Sequence, residues 1–137
     1  MNANGYDFQI DPIGRLRKIY GLLSFALSPV RSRRSQAAAV GASDDGGLYI
    51  AARFNGPRDG FNHFAQDANF NRGSYRALED RWARELRAGH KVFIDIVPQY
   101  EGISQRPSRI EVTWYVDGQR RTASFPNEAT RSSGGER

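Results

Sequence analysis

The feature that most constrains this fold is one amphipathic helix followed by strongly alternating segments. From Arg72 onward, apolar residues recur at spacings of three and four, which predicts a helix that buries one face. These residues are Tyr75, Leu78, Trp82 and Leu86. Gly89 is well placed to end this helix as its C-terminal cap. The chain therefore has one long helix, and the elements around it must cover its apolar stripe.

The segments after the helix have the period-two alternation of strands. Three are predicted, at Lys91–Val97, Arg109–Val116 and Gln119–Phe125, with Pro98 closing the first. Asp117-Gly118 is a strong hairpin signal between the last two. We expect an antiparallel sheet packed against the helix, which is an α+β fold.

The sequence before the helix predicts a hairpin and a strand-loop unit. Tyr6–Ile10 and Ile13–Tyr20 flank a type I turn, and Leu22–Leu27 could add a short strand. Further along, Ala42–Gly47 is small and polar, which indicates a loop, and Leu48–Ala52 is apolar and indicates a strand. An irregular loop then leads to the helix. Between these parts, Arg31, Arg33 and Arg34 indicate a basic loop, in which a short helix over residues 36–40 is a further possibility.

Length and charge limit the classes of protein that fit. A chain of 137 residues is long enough for one core and too short for two. A net charge of +5 and a pI near 10.0 favour a polyanionic partner such as nucleic acid. The absence of cysteine excludes disulfides and thiolate metal sites. No apolar run is long enough to span a bilayer and no signal peptide opens the chain, so we expect a soluble protein.

Amide side chains are concentrated just before the helix. Asn62, Gln66, Asn69 and Asn71 lie within ten residues. Most amides at a helix entry are caps or loop staples, and that interpretation stays open for each of them. An amide oxygen also suits Mg²⁺, and Glu79, two turns into the helix, could hold the waters of such an ion.

These residues carry a resemblance to a known family. The chain resembles the DNA/RNA non-specific endonucleases of the ββα-metal, or His-Me finger, type, and in particular the C-terminal domains of bacterial polymorphic toxins. The similar positions run from about residue 31 to 127 and are Arg34, Gln36, Asp44–Ala52, Phe54–Pro57, Asn62, Gln66, Asn71–Gly73, Tyr75, Leu78–Glu79, Trp82, Gly89, Val92, Tyr100, Arg106–Pro107 and Asp117–Gly118.

The resemblance implies a β-hairpin and a helix that hold one divalent ion, Mg²⁺ or Mn²⁺, and cut phosphodiester bonds with little sequence preference. It implies that Asn71 is the metal ligand and that Glu79 organises the waters of the metal. Asn62 and Gln66 would support the site loop. The arginines expected to contact phosphate are Arg53, Arg58, Arg72 and Arg76.

One position departs from the family pattern. The family has histidine as general base after Asp-Gly-Gly, whereas this chain has Leu48, which cannot accept a proton. Among the nearby side chains, His63 is a weak candidate for the base, whereas Tyr49 is expected to pack in the core. His90, after the helix, is expected to face solvent. We therefore expect an attenuated nuclease, or alternatively an inactive relative that binds nucleic acid or protein.

The resemblance also implies a biological setting. DNA or RNA would be the substrate, and a cognate immunity protein would be a partner if the domain is a secreted or delivered toxin. For the domain organisation, we expect residues 1–30 to form an N-terminal extension packed on a nuclease-like domain of residues 31–127. Residues 128–137 are small and polar, which predicts a disordered tail.

Overall fold

A computed structural model describes residues 1–27 and 44–128. Its regular elements are eight strands and one long helix, with two short 3₁₀ turns at Ala52–Phe54 and Gly60–Asn62. In chain order they are β1 (Asn2–Ala3), β2 (Tyr6–Ile10), β3 (Leu16–Leu22), β4 (Asp44–Leu48), β5 (His63–Asp67), α1 (Arg72–Arg87), β6 (Val92–Gln99), β7 (Arg109–Val116) and β8 (Gln119–Pro126). The α+β class expected from the sequence is confirmed.

Six of the strands form one antiparallel sheet in the order β1-β2-β3-β6-β7-β8. The predicted N-terminal hairpin is confirmed, and its second strand pairs with β6 through Ile19 opposite Ile96. Alternate side chains of β6 and β7, such as Ile94 and Val112, are fully buried on the inner face. The sheet is thus twice the predicted size, because the hairpin and the C-terminal strands share one ladder.

Helix α1 lies against the inner face of this sheet. Trp82 is 1% exposed and meets Trp114 of β7 edge-on, with ring centroids 6.0 Å apart. On its other side Trp82 meets Phe54, at 6.3 Å. Gly89 follows the helix with φ +90 and donates its N–H to the Leu86 carbonyl, as a glycine after a helix does. The predicted helix, its apolar stripe and its end are all confirmed.

The central strand prediction was wrong in position. The strand covers Asp44–Leu48, whereas Leu48–Ala52 was predicted, and a second strand, His63–Asp67, occupies part of the predicted irregular loop. Glycine in a strand often marks a close approach, and a Cβ at Gly47 would overlap the side chain of Gln66 on the partner strand. The glycines that indicated a loop therefore allow two strands to pair.

Smaller differences follow from local pairing. Pro98 was predicted to close β6, yet it lies inside that strand opposite Ile110, beyond the residues that pair with β3. Because β3 does not pair with β6 at this position, the N–H that proline lacks removes no hydrogen bond between these two strands. Beyond Leu22 the predicted short strand is absent from the described residues up to Leu27. The basic loop at residues 31–34, the short helix at 36–40 and the tail from 129 lie outside the described ranges.

Candidate active site

Strands β4 and β5 and helix α1 form a compact unit beside the large sheet. The two strands pair antiparallel, and a 14-residue connection between them runs through both 3₁₀ turns. The Tyr75 hydroxyl of α1 donates to the Tyr49 carbonyl over 2.8 Å, and the Tyr49 ring stacks on Phe64 at 4.4 Å. The end of β4 is thereby fixed to both its partner strand and the helix.

Asn62 holds the connection between the two strands in place. Its amide oxygen accepts from Ile50 N at 3.0 Å, and its amide nitrogen donates to the carbonyls of Ile50 and Pro57 at 2.9 and 3.0 Å. The side chain is fully buried. Asn62 therefore supplies the hydrogen bonds that a neighbouring strand would otherwise give to Ile50.

Gln66 lies in strand β5, and not in a loop as the sequence suggested. Its side chain is 7% exposed and crosses in front of Gly47. Its amide oxygen accepts from Arg72 Nε at 2.9 Å. This bond orients Arg72, the first residue of α1. The position of Gln66 in β5 therefore determines where the Arg72 side chain lies.

Asn71 is the N-cap of α1. Its side-chain oxygen accepts from Ser74 N at 2.9 Å, and its side chain lies at the surface. This is the capping arrangement that the sequence left open. A carbonyl oxygen has two lone pairs, so capping leaves one acceptor position for another group.

Glu79 lies on the buried side of α1. It is 8% exposed, and its carboxylate forms no hydrogen bond with another described residue. Burial raises the pKa of Glu79 to about 7, although the neighbouring Arg53 and Arg76 act in the opposite direction. Buried polar groups are generally paired, so a carboxylate in this state is suited to bind a group absent from the chain.

Arginine side chains surround Glu79 and the connection before it. Arg53 Nη2 donates to Asp80 Oδ1 at 2.6 Å, and Arg76 Nε lies 3.7 Å from the same oxygen. Arg76 is 73% exposed, and Arg58 also lies at the surface. This concentration of positive charge is suited to a phosphate backbone.

Two positions that the sequence analysis considered for the general base lie opposite each other. Leu48 pairs directly with His63 across β4 and β5. His63 is partly exposed, with Nε2 3.1 Å from the Arg58 carbonyl oxygen. Tyr49 is 1% exposed, as expected for a core residue. His90 is exposed beyond the helix, where its Nδ1 contacts Asp117 Oδ2 at 2.6 Å.

Sequence reasoning missed a buried polar cluster behind β5. Asp67 is 3% exposed, accepts from Asn69 N at 2.8 Å and pairs with Arg106 Nη2 at 2.6 Å. Asn127, fully buried, accepts from Asp67 N at 2.8 Å and donates to the carbonyls of Ala65 and Pro107. The only sequence signal was an Arg106-Pro107 pair within the family resemblance, and nothing marked Asn127.

The oxygen donors at the candidate site suit Mg²⁺, which keeps several of its waters, better than a metal ion whose ligands all come from the protein. Within residues 1–27 and 44–128, no group of three or more His, Asp or Glu side chains is arranged to hold a metal. Mg²⁺ usually keeps several waters and takes one or two protein oxygens. The Asn71 oxygen and the unpaired Glu79 carboxylate are oxygens of that kind.

Beside the large antiparallel sheet lie a strand pair and a helix that has an amide at its start and a buried carboxylate along it. Residues 1–118 match the family described as DNA/RNA non-specific endonuclease, so the chain belongs to this family. The match begins at the first residue and therefore includes the N-terminal hairpin.

The sequence is also similar to a secretion-system protein of Staphylococcus aureus. The type VII secretion system protein EssD of Staphylococcus aureus strains USA300 and NCTC 8325 is 30% identical over 134 residues, which is 90% of this chain. The chain spans 22% of the length of these relatives.

The fold also resembles that of NucA from Streptococcus agalactiae. The magnesium-bound structure has a TM-score of 0.69 and 14% identity, and covers 90% of this chain and 72% of that one. The metal-free structure has a TM-score of 0.66 and 16% identity, over 90% and 71%. In the part of the chain that is described, no helix is long and apolar enough to cross a membrane.

Proposed function

We propose that this chain is a metal-dependent endonuclease of toxin type that hydrolyses phosphodiester bonds in DNA or RNA with little sequence preference. The observation that carries the proposal is Glu79, a buried carboxylate beside two arginines and without a hydrogen bond in the described structure. It lies on the helix that Asn71 opens, in a member of an endonuclease family. A carboxylate kept buried in this way is suited to holding the waters of a metal ion.

The roles of the remaining groups follow from their chemistry. Asn71 would bind Mg²⁺ or Mn²⁺ through its side-chain oxygen, and Glu79 would orient the waters of that ion. When bound, the ion supplies positive charge that stabilises the phosphoryl transition state. Arg72, oriented by Gln66, would contact the substrate phosphate, and the exposed Arg58 and Arg76 would hold the adjacent backbone.

Leu48 makes the proposed enzyme slower than a relative with histidine there. A positioned general base contributes roughly 10² to 10⁴ in rate, and an aliphatic side chain supplies none of this. The same observation favours the alternative function, a catalytically inactive relative that binds nucleic acid or a protein. The toxin setting is supported by a relative named as a type VII secretion protein, and we propose an immunity protein as a partner on that basis.

Activity assays separate the two functions. Plasmid DNA and total RNA are incubated with Mg²⁺ or Mn²⁺ and wild type, Leu48→His, Asn71→Ala or Glu79→Gln. We expect slow cleavage by wild type, none by Asn71→Ala, about 10 to 100-fold less by Glu79→Gln, and faster cleavage by Leu48→His, which places a histidine where the family has its general base.

Each result decides between the functions. If only Leu48→His cleaves, the natural chain is the catalytically inactive relative, because it then lacks only the general base. If no variant cleaves either substrate, the proposed position of the site is wrong.

A further inference from the structure

We infer that His63 is the general base of this nuclease, moved from β4 to the opposite position on β5. The inference rests on the proposed function and names the residue that gives the site its remaining activity. It starts from the strand register, which pairs Leu48 directly with His63.

Directly opposite residues of an antiparallel pair project their side chains to the same face. The face on which a histidine at position 48 would act is therefore the face that His63 occupies. The neighbouring Tyr49 N donates to the Asn62 carbonyl at 2.9 Å, so Leu48 and His63 form the adjacent non-hydrogen-bonded pair. Side chains lie closest in such pairs, with Cβ atoms on the order of 5 Å apart.

The contacts of His63 also favour a base. The Arg58 carbonyl can only accept a hydrogen bond, so the contact at 3.1 Å requires the proton to be on Nε2. In the neutral ring, Nδ1 then carries a lone pair. No described residue donates to Nδ1, and the ring is partly exposed, so a water can approach it. The Arg58 carbonyl thus fixes a tautomer that can accept a proton.

The two side chains at and just after the end of β4 cannot serve as the base. Leu48 has no lone pair, and Tyr49 is buried against Phe64. The second histidine of the chain, His90, lies beyond the far end of α1 and contacts Asp117. Of the two histidines in the sequence, only His63 lies in the unit formed by β4, β5 and α1.

As general base, His63 would take part in the hydrolysis of one phosphodiester bond. His63 Nδ1 takes one proton from water as the water oxygen forms a bond to phosphorus. The bond from phosphorus to one ester oxygen breaks, and that oxygen takes a proton from solvent. The imidazolium then returns its proton to solvent. The products are a phosphate monoester end and a hydroxyl end.

The test compares variants that separate a base from a structural side chain. His63→Gln keeps an amide N–H that can reach the Arg58 carbonyl but has no basic nitrogen, and His63→Ala leaves room for added imidazole. His90→Ala is the matched control. Plasmid cleavage with Mg²⁺ is measured for each, together with thermal melting to verify folding.

We expect His63→Gln and His63→Ala to lose about 10² to 10⁴-fold in rate while His90→Ala keeps the wild-type rate. Imidazole should restore part of the activity of His63→Ala, and the double variant Leu48→His/His63→Ala should be active. Neither form of rescue is expected if His63 only holds the loop.

Four outcomes would overturn the inference. Wild-type rates in His63→Gln would show that the Arg58 contact alone matters. Loss of activity that neither imidazole nor Leu48→His restores would assign His63 a structural role. An inactive wild type with an active Leu48→His would show that His63 supplies no base, while the site itself stands. If Leu48→His is inactive as well, the proposed function fails, and this inference fails with it.

Discussion

A single buried amide determines the course of the chain between the two site strands. Asn62 satisfies both backbone groups of Ile50 and the carbonyl of Pro57, so three polar groups depend on one side chain. Because Leu48 and His63, the two residues of the proposed base position, flank this connection, its geometry determines how they face each other. At the residue scale the site depends on such supporting groups as much as on the groups that would react.

Replacing Asn62 with alanine is expected to destabilise the protein strongly. It leaves two buried carbonyls and one buried N–H without partners, and the free energy of unfolding should fall by about 3 kcal/mol. Urea denaturation followed by circular dichroism measures the change. The control, Asn2→Ala at an exposed strand end, should stay within about 0.5 kcal/mol of wild type. Equal effects of the two variants would show that the Asn62 contacts do not stabilise the fold.

Asp67 gives the stability a specific pH dependence. The N–H of Asn69 and then the charge of Arg106 lower the pKa of this carboxyl, although burial acts in the opposite direction. Because the pKa is lower in the folded chain, Asp67 stabilises the fold above its unfolded pKa of about 3.9 and loses this effect as pH falls through the folded value.

The variant Asp67→Asn isolates this pH dependence. It should be less stable than wild type near neutral pH, and the difference should narrow at pH values below about 4. Denaturation midpoints measured across this range provide the test, with Asp59→Asn at the surface as the control. A constant difference between Asp67→Asn and wild type at all pH values would contradict the assignment.

At the scale of elements, the strand pair depends on a glycine that the sequence pattern misread. Small residues before an apolar run indicate a loop, yet Gly47 lies in β4 because the Gln66 side chain occupies the space where a Cβ would be. This constraint acts between residues nineteen positions apart, which is why local patterning could not find it.

Gly47→Ala should therefore displace Gln66 and, through it, Arg72. We expect a loss of stability of about 1 to 3 kcal/mol and a lower cleavage rate. In a Gln66→Ala background the same glycine substitution should cost much less. Gly60→Ala, where a Cβ would meet nothing within 4 Å, is the control. Additive effects of Gly47→Ala and Gln66→Ala would show that the two positions do not interact.

Other elements could be predicted because their sequence patterns involve residues that are close together in the chain. The alternation of β7 and the Asp117-Gly118 turn defined the last hairpin, with φ of +50 and +88 at the two turn residues. The helix from Arg72 to Arg87 was equally clear. In contrast, β5 and its polar support come from contacts such as Asn127 to Ala65, 62 residues apart in sequence. Within the candidate site, the positions came from family resemblance, and the pairing of Leu48 with His63 became visible only in the strand register.

Asn127 ties the site strand to the large sheet, so its loss should loosen β5 first. Asn127→Ala removes bonds to Asp67 N, Ala65 O and Pro107 O, and should lower the free energy of unfolding by about 2 to 3 kcal/mol. Hydrogen exchange distinguishes a local effect, because the Asp67 amide should exchange faster than amides of β7. Uniform acceleration across the sheet would instead indicate a global loss of stability.

At the scale of the whole molecule, the distribution of charge should determine how nucleic acid binds. The chain carries 20 basic and 15 acidic residues, and the arginines around Glu79 lie on the side of α1 and the strand connection. On the outer face of the large sheet, basic Arg109 and Arg120 alternate with acidic Glu111 and Asp95 on neighbouring strands. A polyanion should therefore bind at the site and not on the outer sheet face.

Binding of a short DNA duplex to the Asn71→Ala variant, which should not cleave it, tests this distribution. The logarithm of the association constant should fall linearly with the logarithm of salt concentration, by about 0.9 for each phosphate neutralised. Arg58→Ala beside the site should reduce that slope by about 1, whereas Arg120→Ala on the outer sheet face should leave it unchanged. Fluorescence anisotropy at several salt concentrations gives the slopes. If Arg120→Ala lowers the slope and Arg58→Ala does not, the nucleic acid lies on the outer sheet face, and the strand pair and helix cannot be the cleavage site.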